Sequence, residues 1–164
     1  MESEFEKEIR EVTNGSAFPY SDWPNPNVPH VAAGLYTIWH GQEFIYVGMS
    51  GRGLAEADIA QKRVAGEKKK ALFSRLESHA SGRRSGDQFC LYICDHFVVP
   101  ELTSTELNQV RDGSISLDER TKRFIRAQLH YRFVEVSTGQ IALKVEAHLK
   151  RVGVNGNKPR LNPA

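Results

Sequence analysis

Arg75 and His79 have side-chain types and a spacing suited to chemistry on a phosphate group. They stand four residues apart in a segment, 68–81, that lacks Gly and Pro and spaces its apolar residues as a helix does. Both side chains should therefore project from one face of the helix, about one turn apart. The planar guanidinium of Arg75 can stabilise negative charge, whereas His79 titrates near neutrality and can accept a proton or bind a phosphate oxygen.

Two tyrosines, Tyr36 and Tyr46, extend this candidate set. They fall in two neighbouring β-rich runs, and cross-strand geometry can place both hydroxyls at one end of a sheet. A free tyrosine has a pKa of about 10. Tyr36 could therefore act as a base only where a metal, Arg75 or His79 favours its phenolate. The alternative for either ring is an ordinary packing aromatic.

Glu146 is the only acid between residues 138 and 164. It lies in an amphipathic segment, 138–153, that predicts the last helix of the chain. A lone carboxylate on a neutral or basic helix can hold one Mg²⁺ whose remaining ligands are waters. An ordinary solvated glutamate is the alternative, but we expect one divalent ion, Mg²⁺ or Mn²⁺, at Glu146.

The tripeptides around the two tyrosines, and the end of the chain, give the candidate set a recognisable order. GLY stands at 34–36, YVG follows at 46–48, and Asn162 lies near the end of the given sequence within KPRLN. With the arginine helix and the late glutamate helix, this order resembles the GIY-YIG nuclease superfamily. Leu35 and Val47 stand where that family usually has isoleucine, an exchange that a strand core tolerates.

The resemblance covers residues 33–162 and implies an α+β fold. A small central antiparallel or mixed β-sheet should be flanked by helices. An acidic segment and a Pro-rich arm, 1–32, should precede a nuclease domain, 33–164, with insertions at about 49–70 and 96–130. The first insertion is longer and more basic than in repair and homing members, which is more similar to the restriction-endonuclease branch.

The resemblance implies a metal-dependent DNA endonuclease that hydrolyses phosphodiester bonds with some sequence preference. It makes Tyr36 the base and Glu146 the metal ligand, and Tyr46 then orients the water or the scissile phosphate. His79 stays open as an alternative base. A catalytically silent nucleic-acid-binding module on the same scaffold is the alternative function, and its sign would be the loss of a site residue, which the sequence does not show.

The expected partner is double-stranded DNA, bound by a monomer or a homodimer. The whole chain carries a formal charge of only +2, but the segment between residues 60 and 84 contains eight basic residues and only two acidic ones. A merely solvated face is the alternative for such a charge run. The expected phosphate contacts are Arg52, Arg63, Lys68, Lys69, Lys70, Arg83, Arg84, Asn157 and Asn162.

Length and composition limit the remaining possibilities. The chain has 164 residues, of which 40% are hydrophobic and 26% charged, so one globular domain is expected, and disordered, collagen-like and membrane-embedded classes are excluded. The acidic start has no signal-peptide pattern, which predicts a cytoplasmic location. Cys90 and Cys94 have no partner pair at zinc spacing and are expected to be reduced core residues.

Local patterns predict the elements that must position these residues. The expected hairpin pairs 34–40 with 43–49. An extended arm is expected between the first helix and that hairpin, because its four prolines are incompatible with a regular helix or a central strand. The other predictions are a helix within 2–12, a buried strand over 88–99, helices over 104–113 and 116–130, and a strand over 131–137.

Overall fold

The computed structural model describes residues 4–66 and 69–164. Lys68, one of the predicted DNA contacts, lies outside the described residues. The strands are β1 (Phe18–Pro19), β2 (Val31–His40), β3 (Glu43–Ser50), β4 (Lys70–Ala71) and β5 (Leu129–Val136). The helices are α1 (Glu6–Asn14), α2 (Glu56–Val64), α3 (Leu72–Ser81), α4 (Gln88–Ile93), α5 (Ser104–Asp112), α6 (Leu117–Gln128) and α7 (Gly139–Val152).

The strands form one open sheet in the order β1-β5-β2-β3. All neighbours along this path are antiparallel, and the short strand β4 pairs in parallel with the start of β2. The predicted hairpin is confirmed: β2 and β3 are joined at Gly41, whose φ of 59° suits glycine in a tight turn. The predicted α+β class, with a sheet flanked by helices, is also confirmed.

Helices cover both faces of the sheet. Side chains alternate along β2, so neighbouring residues of this strand belong to different cores. Tyr36 and Ile38 belong to a core that α3, α4 and α6 cover, with Leu76 as one of its fully buried members. Leu35 belongs to the opposite core, which α1, α2 and α7 cover, and to which Val145 contributes. The helices α3 and α7 therefore lie on opposite sides of the sheet.

The prediction of a buried strand over 88–99 is wrong. The segment forms α4, then a π-helical stretch, Cys94–Val98, and a 3₁₀ turn, Val99–Glu101. Phe89, Cys90 and Ile93 are completely buried, so this short helix is apolar on most sides. A short apolar run has no periodicity that separates a buried strand from a buried helix, which is why the pattern was misleading.

Other elements match their predictions with shifted ends. The first helix begins at Glu6, and the helix of Arg75 begins at Leu72 because β4 precedes it. Ser116, the first residue of the helix predicted over 116–130, is the N-cap of α6, since its Oγ accepts the Glu119 N–H at 3.2 Å. The helix α2 within the basic insertion was not predicted. No helix among the described residues is long and apolar enough to cross a membrane.

The Pro-rich arm is pinned to the domain by its aromatic rings. Tyr20 is fully buried and lies 4.6 Å from Tyr131, while Trp23 lies 5.0 Å from Phe73, both between ring centroids. The arm therefore packs on the same layer that carries α3. The division of the chain at residue 32 stays a prediction.

Candidate active site

One small pocket brings the predicted catalytic set together. It has a volume of about 200 Å³, and the residues that line it include Tyr36, Tyr46, Arg75, His79 and Glu146. The same pocket is lined by Gly48 and Met49 of β3 and by Asp87 and Gln88 at the start of α4. Residues more than 100 positions apart in sequence thus share one concave site.

The position of the Tyr36 ring depends on Gly48. The two residues are directly opposite each other in the β2–β3 ladder, and Tyr36 is only 1% exposed. A Cβ added at Gly48 would lie 2.5 Å from Tyr36 Cζ and closer still to its hydroxyl oxygen. The glycine of the YVG tripeptide therefore leaves the space that the tyrosine hydroxyl occupies.

Tyr36, His79 and Asp87 form a hydrogen-bonded chain inside the protein. The Tyr36 hydroxyl lies 2.7 Å from His79 Nε2, and His79 Nδ1 lies 2.7 Å from Asp87 Oδ2. All three side chains are buried, with His79 only 1% exposed. Because an ionised carboxylate can only accept, Nδ1–H donates to Asp87, which leaves Nε2 to accept from the Tyr36 hydroxyl.

Asp87 is held in place by its second oxygen. It is the N-cap of α4, where Oδ1 accepts the Phe89 N–H at 3.0 Å. The Cys90 thiol also donates to Oδ2, at 3.5 Å. Cys90 and Cys94 are free and buried, as expected. Sequence reasoning missed Asp87 because the following run was interpreted as a strand, although an aspartate directly before an apolar run is a helix-start signal.

Burial controls the protonation of the chain. It raises the pKa of Tyr36 well above 10 and that of Tyr46 to about 12, and the positive charge of Arg75 only partly opposes both shifts. Burial lowers the pKa of His79 below 6.5, against the opposing influence of Asp87. For Asp87, burial alone would raise the pKa, but the hydrogen bond and the charge interaction with His79, together with the hydrogen bonds from Cys90, outweigh it and the pKa is lowered. Near pH 7 the three hydrogen-bonded side chains are therefore a neutral Tyr36, a neutral His79 and an ionised Asp87.

Arg75 and Glu146 approach the pocket from opposite sides of the sheet. Arg75 is exposed on α3, whereas the Glu146 side chain on α7 is only 14% exposed. Lys150 Nζ, one helical turn further along α7, lies 3.2 Å from Glu146 Oε1. The Glu146 carboxylate is thus already paired with the ammonium group of Lys150.

The pocket could hold the predicted metal through the carboxylate of Glu146. The described residues contain no group of three or more His, Cys, Asp or Glu side chains that could hold an ion. A metal caged by protein ligands therefore does not fit this part of the chain. A single carboxylate does fit Mg²⁺ or Mn²⁺, which can be held by one or two carboxylates together with waters and substrate phosphate oxygens.

Several predicted DNA contacts already have protein partners. Arg63 pairs with Glu135 and also donates to the Val31 carbonyl oxygen at 3.0 Å. Lys69 Nζ lies 2.8 Å from Glu77, and Arg84 Nε lies 2.7 Å from Asp118. Arg52, Lys70 and Arg83 are exposed, and Arg83 lines a groove next to the pocket that Asp87 also lines.

The two predicted asparagines lie apart from each other. Asn162 Oδ1 accepts the Val47 N–H at 3.1 Å, and its amide nitrogen donates to the Val47 carbonyl oxygen. Its contacts thus hold β3 in place beside the pocket. Asn157 lines a different and larger pocket, of about 490 Å³, which Trp39 and Arg132 also line. DNA contact by either asparagine stays a prediction, and the larger pocket contains none of the catalytic set.

Comparisons of the chain with protein-family models, with curated proteins and with solved structures find no match.

Proposed function

We propose that this chain is a metal-dependent DNA endonuclease of the GIY-YIG type. The observation that carries the proposal is the convergence of five residues on one pocket, all of them selected from sequence order and chemistry. Those residues are Tyr36, Tyr46, Arg75, His79 and Glu146. The restriction-like role with sequence preference, the double-stranded substrate and the monomeric or dimeric state belong to the same proposal.

Water activation is the task of Tyr36 together with His79. The phenolate is disfavoured, because burial raises the pKa of Tyr36 well above 10. A neutral Tyr36 can still take a proton from water if it gives its own proton to His79 Nε2, 2.7 Å away, in the same step. The hydroxide equivalent attacks phosphorus, Tyr36 ends neutral, and His79 ends as imidazolium. The two candidate bases thus act in series.

Groups on the exposed side of the pocket stabilise the negative charge that develops on the phosphate. Arg75, exposed on α3, can hold the phosphoryl oxygens as negative charge develops there. Tyr46 stays protonated near pH 7, since its pKa is raised to about 12, and it can donate to the water or to the phosphate. A divalent ion held by Glu146 would polarise a phosphoryl oxygen and neutralise charge on the leaving 3′ oxygen.

The first test is cleavage of a mixed-sequence supercoiled plasmid in Mg²⁺. We expect nicked or linear DNA from the native protein and none from Glu146→Gln or in EDTA. The matched control is Glu8→Gln, in α1, which contributes no residue to the pocket and should cut as the native protein does. Discrete fragments would identify a sequence preference.

The binding-module alternative has its own outcome. If the native protein retards DNA in a salt-sensitive manner but no metal or DNA sequence supports cutting, the chain is a binding module. Cleavage that survives in both Glu146→Gln and EDTA would contradict the assigned metal ligand. A native protein that neither cuts nor binds DNA would contradict both functions.

A further inference from the structure

Asp87 is a buried carboxylate that the reaction described above does not use. It is 5% exposed, it lines the pocket, and its side chain contacts His79. A buried carboxylate is unfavourable unless its oxygens are hydrogen-bonded. Here Oδ1 accepts the Phe89 N–H and Oδ2 accepts from His79 Nδ1 and the Cys90 thiol.

The imidazole of His79 has two neutral forms, and only one suits the proposed reaction. Nε2 must be unprotonated to take the Tyr36 proton, so the proton of the neutral ring must reside on Nδ1. Tyr36 carries a hydroxyl that can donate or accept, so it does not select a form by itself. Asp87 can only accept, and it therefore selects the form with Nδ1–H.

We propose that Asp87 is a positioning residue that keeps the proton of His79 on Nδ1 and so makes Nε2 the acceptor for Tyr36. The proposal rests on the endonuclease function proposed above. During water attack the proton of Tyr36 moves to Nε2, Nδ1 keeps its own proton, and the imidazolium that forms lies against the Asp87 carboxylate. No further reactant is needed, because His79 returns its proton when the leaving oxygen or solvent accepts one.

The remaining groups around His79 do not replace Asp87. Tyr36 and Tyr46 face it from β2 and β3 and are neutral near pH 7, and Phe89 packs on its ring from α4. Arg75, one turn earlier on α3, carries a positive charge that disfavours the imidazolium. Asp87 is therefore the negative group that contacts the histidine in the described structure.

The helix cap makes Asp87→Asn an unusually sharp test. The atom at the Oδ1 position must accept the Phe89 N–H, so the amide oxygen of the asparagine belongs there. Its NH₂ group then faces His79 Nδ1 and requires that nitrogen to accept. The variant should move the ring proton to Nε2, from which it would point at Tyr36 and block the transfer.

The experiment combines ¹⁵N NMR of the histidine side chains with single-turnover cleavage. The His79 resonances are assigned by their loss in His79→Gln. In the native protein we expect a pyridine-type Nε2 and a pyrrole-type Nδ1, and in Asp87→Asn the reverse. We expect the cleavage rate of Asp87→Asn to fall by about 10³- to 10⁴-fold, with DNA affinity unchanged.

Two further variants separate positioning from helix capping. Asp87→Ser keeps a capping hydroxyl but lacks a carboxylate at His79, so it should lose cleavage while retaining most of its stability. Thr103→Ala removes the cap of α5, where Thr103 Oγ1 accepts the Glu106 N–H, and it should cut normally. Equal losses in Asp87→Ser and Thr103→Ala would overturn the proposal.

The native spectrum alone can also overturn the proposal, even if Asp87→Asn fails to fold. A native His79 with its proton on Nε2 at pH 7.5 contradicts the assigned role, as does an unchanged form in Asp87→Asn. If the native protein does not cut any DNA but shows the expected form and its reversal, the endonuclease fails while the control of His79 by Asp87 stands.

Discussion

At the scale of single residues, the pocket depends on the fit between the Tyr36 ring and Gly48, which has no side chain. Tyr36 is buried under the sheet surface, yet its hydroxyl reaches His79 because Gly48, opposite it, has no Cβ. The tyrosine and the glycine are the last letters of the two tripeptides found in the sequence. Their spacing thus encodes a steric fit as well as a strand pairing.

Gly48→Ala should remove activity without abolishing the fold. The added methyl group would displace the Tyr36 hydroxyl and separate it from His79. Such overpacking costs about 1–3 kcal/mol, and loss of the base should slow cleavage by about 10²-fold or more. Urea unfolding and single-turnover cleavage measure the two effects. Gly53→Ala is the matched control, because no described atom lies within 4 Å of a Cβ added there.

His79 should make stability depend on pH in the weakly acidic range. Burial lowers its pKa in the folded chain below the value of about 6.5 in the unfolded chain. The unfolded chain therefore binds the proton first, and the free energy of unfolding falls as the pH falls from about 6.5 to the lowered value, by at most ~1.4 kcal/mol per pH unit.

The check is the free energy of unfolding measured at several pH values between 7.5 and about 5. His79→Gln should show a shallower decline than the native protein. His96→Gln, at an exposed position, is the matched control and should follow the native curve. A His79→Gln curve with the native slope would contradict neutral burial of His79.

At the scale of elements, long periodic segments were predictable and short apolar ones were not. The hairpin follows from two β-rich runs around a short connector, and α6 and α7 follow from helical spacing, since each of these helices buries one side. The run from Gln88 to Val99 is apolar without a period, and its tertiary packing selects a helix. That error also concealed Asp87, because a carboxylate before a strand has no capping role to reveal it.

The α7 helix predicts a competition between Lys150 and the divalent ion. Lys150 Nζ lies 3.2 Å from Glu146 Oε1, and the side chains are 30% and 14% exposed. If the ion takes the same carboxylate, Lys150→Met should lower the half-saturating Mn²⁺ concentration by about fivefold, since a partly exposed pair contributes up to ~1 kcal/mol. Titration of the Mn²⁺ electron paramagnetic resonance signal, with DNA in EDTA-free buffer, measures this shift.

A charge change elsewhere on the same helix provides the comparison. Lys144 lies over the Phe5 ring, 5.8 Å from its centroid, and does not pair with Glu146 in the described structure. Lys144→Met should therefore leave the Mn²⁺ titration unchanged. Equal titration curves for Lys150→Met and the native protein would contradict a metal at Glu146 that competes with Lys150.

At the scale of the whole molecule, the pocket requires both layers of helices. Arg75 and His79 come from α3 on one face of the sheet, and Glu146 comes from α7 on the other. The two layers meet at β3, which lies at the end of the strand order and lines the pocket with Gly48 and Met49. No local pattern encodes this meeting point, so sequence order alone could indicate the set but not its geometry.

Because the net charge is only +2, the proposed DNA binding requires local clusters of cations rather than the charge of the molecule as a whole. We expect Arg83→Ala to weaken binding in EDTA and to reduce the slope of log K against log salt concentration by about 0.9. Arg83 is exposed and lies beside the candidate pocket. Fluorescence anisotropy at four salt concentrations measures both quantities.

Two arginines test whether position decides the effect. Arg10→Ala removes the same charge from α1, on the opposite face, and should leave affinity and salt slope unchanged. Arg63→Ala should weaken binding less than Arg83→Ala, because Arg63 must first leave Glu135 and the Val31 carbonyl oxygen to reach a phosphate. Equal losses for Arg10 and Arg83 would mean that DNA responds to total charge, and the predicted binding face around α3 would be wrong.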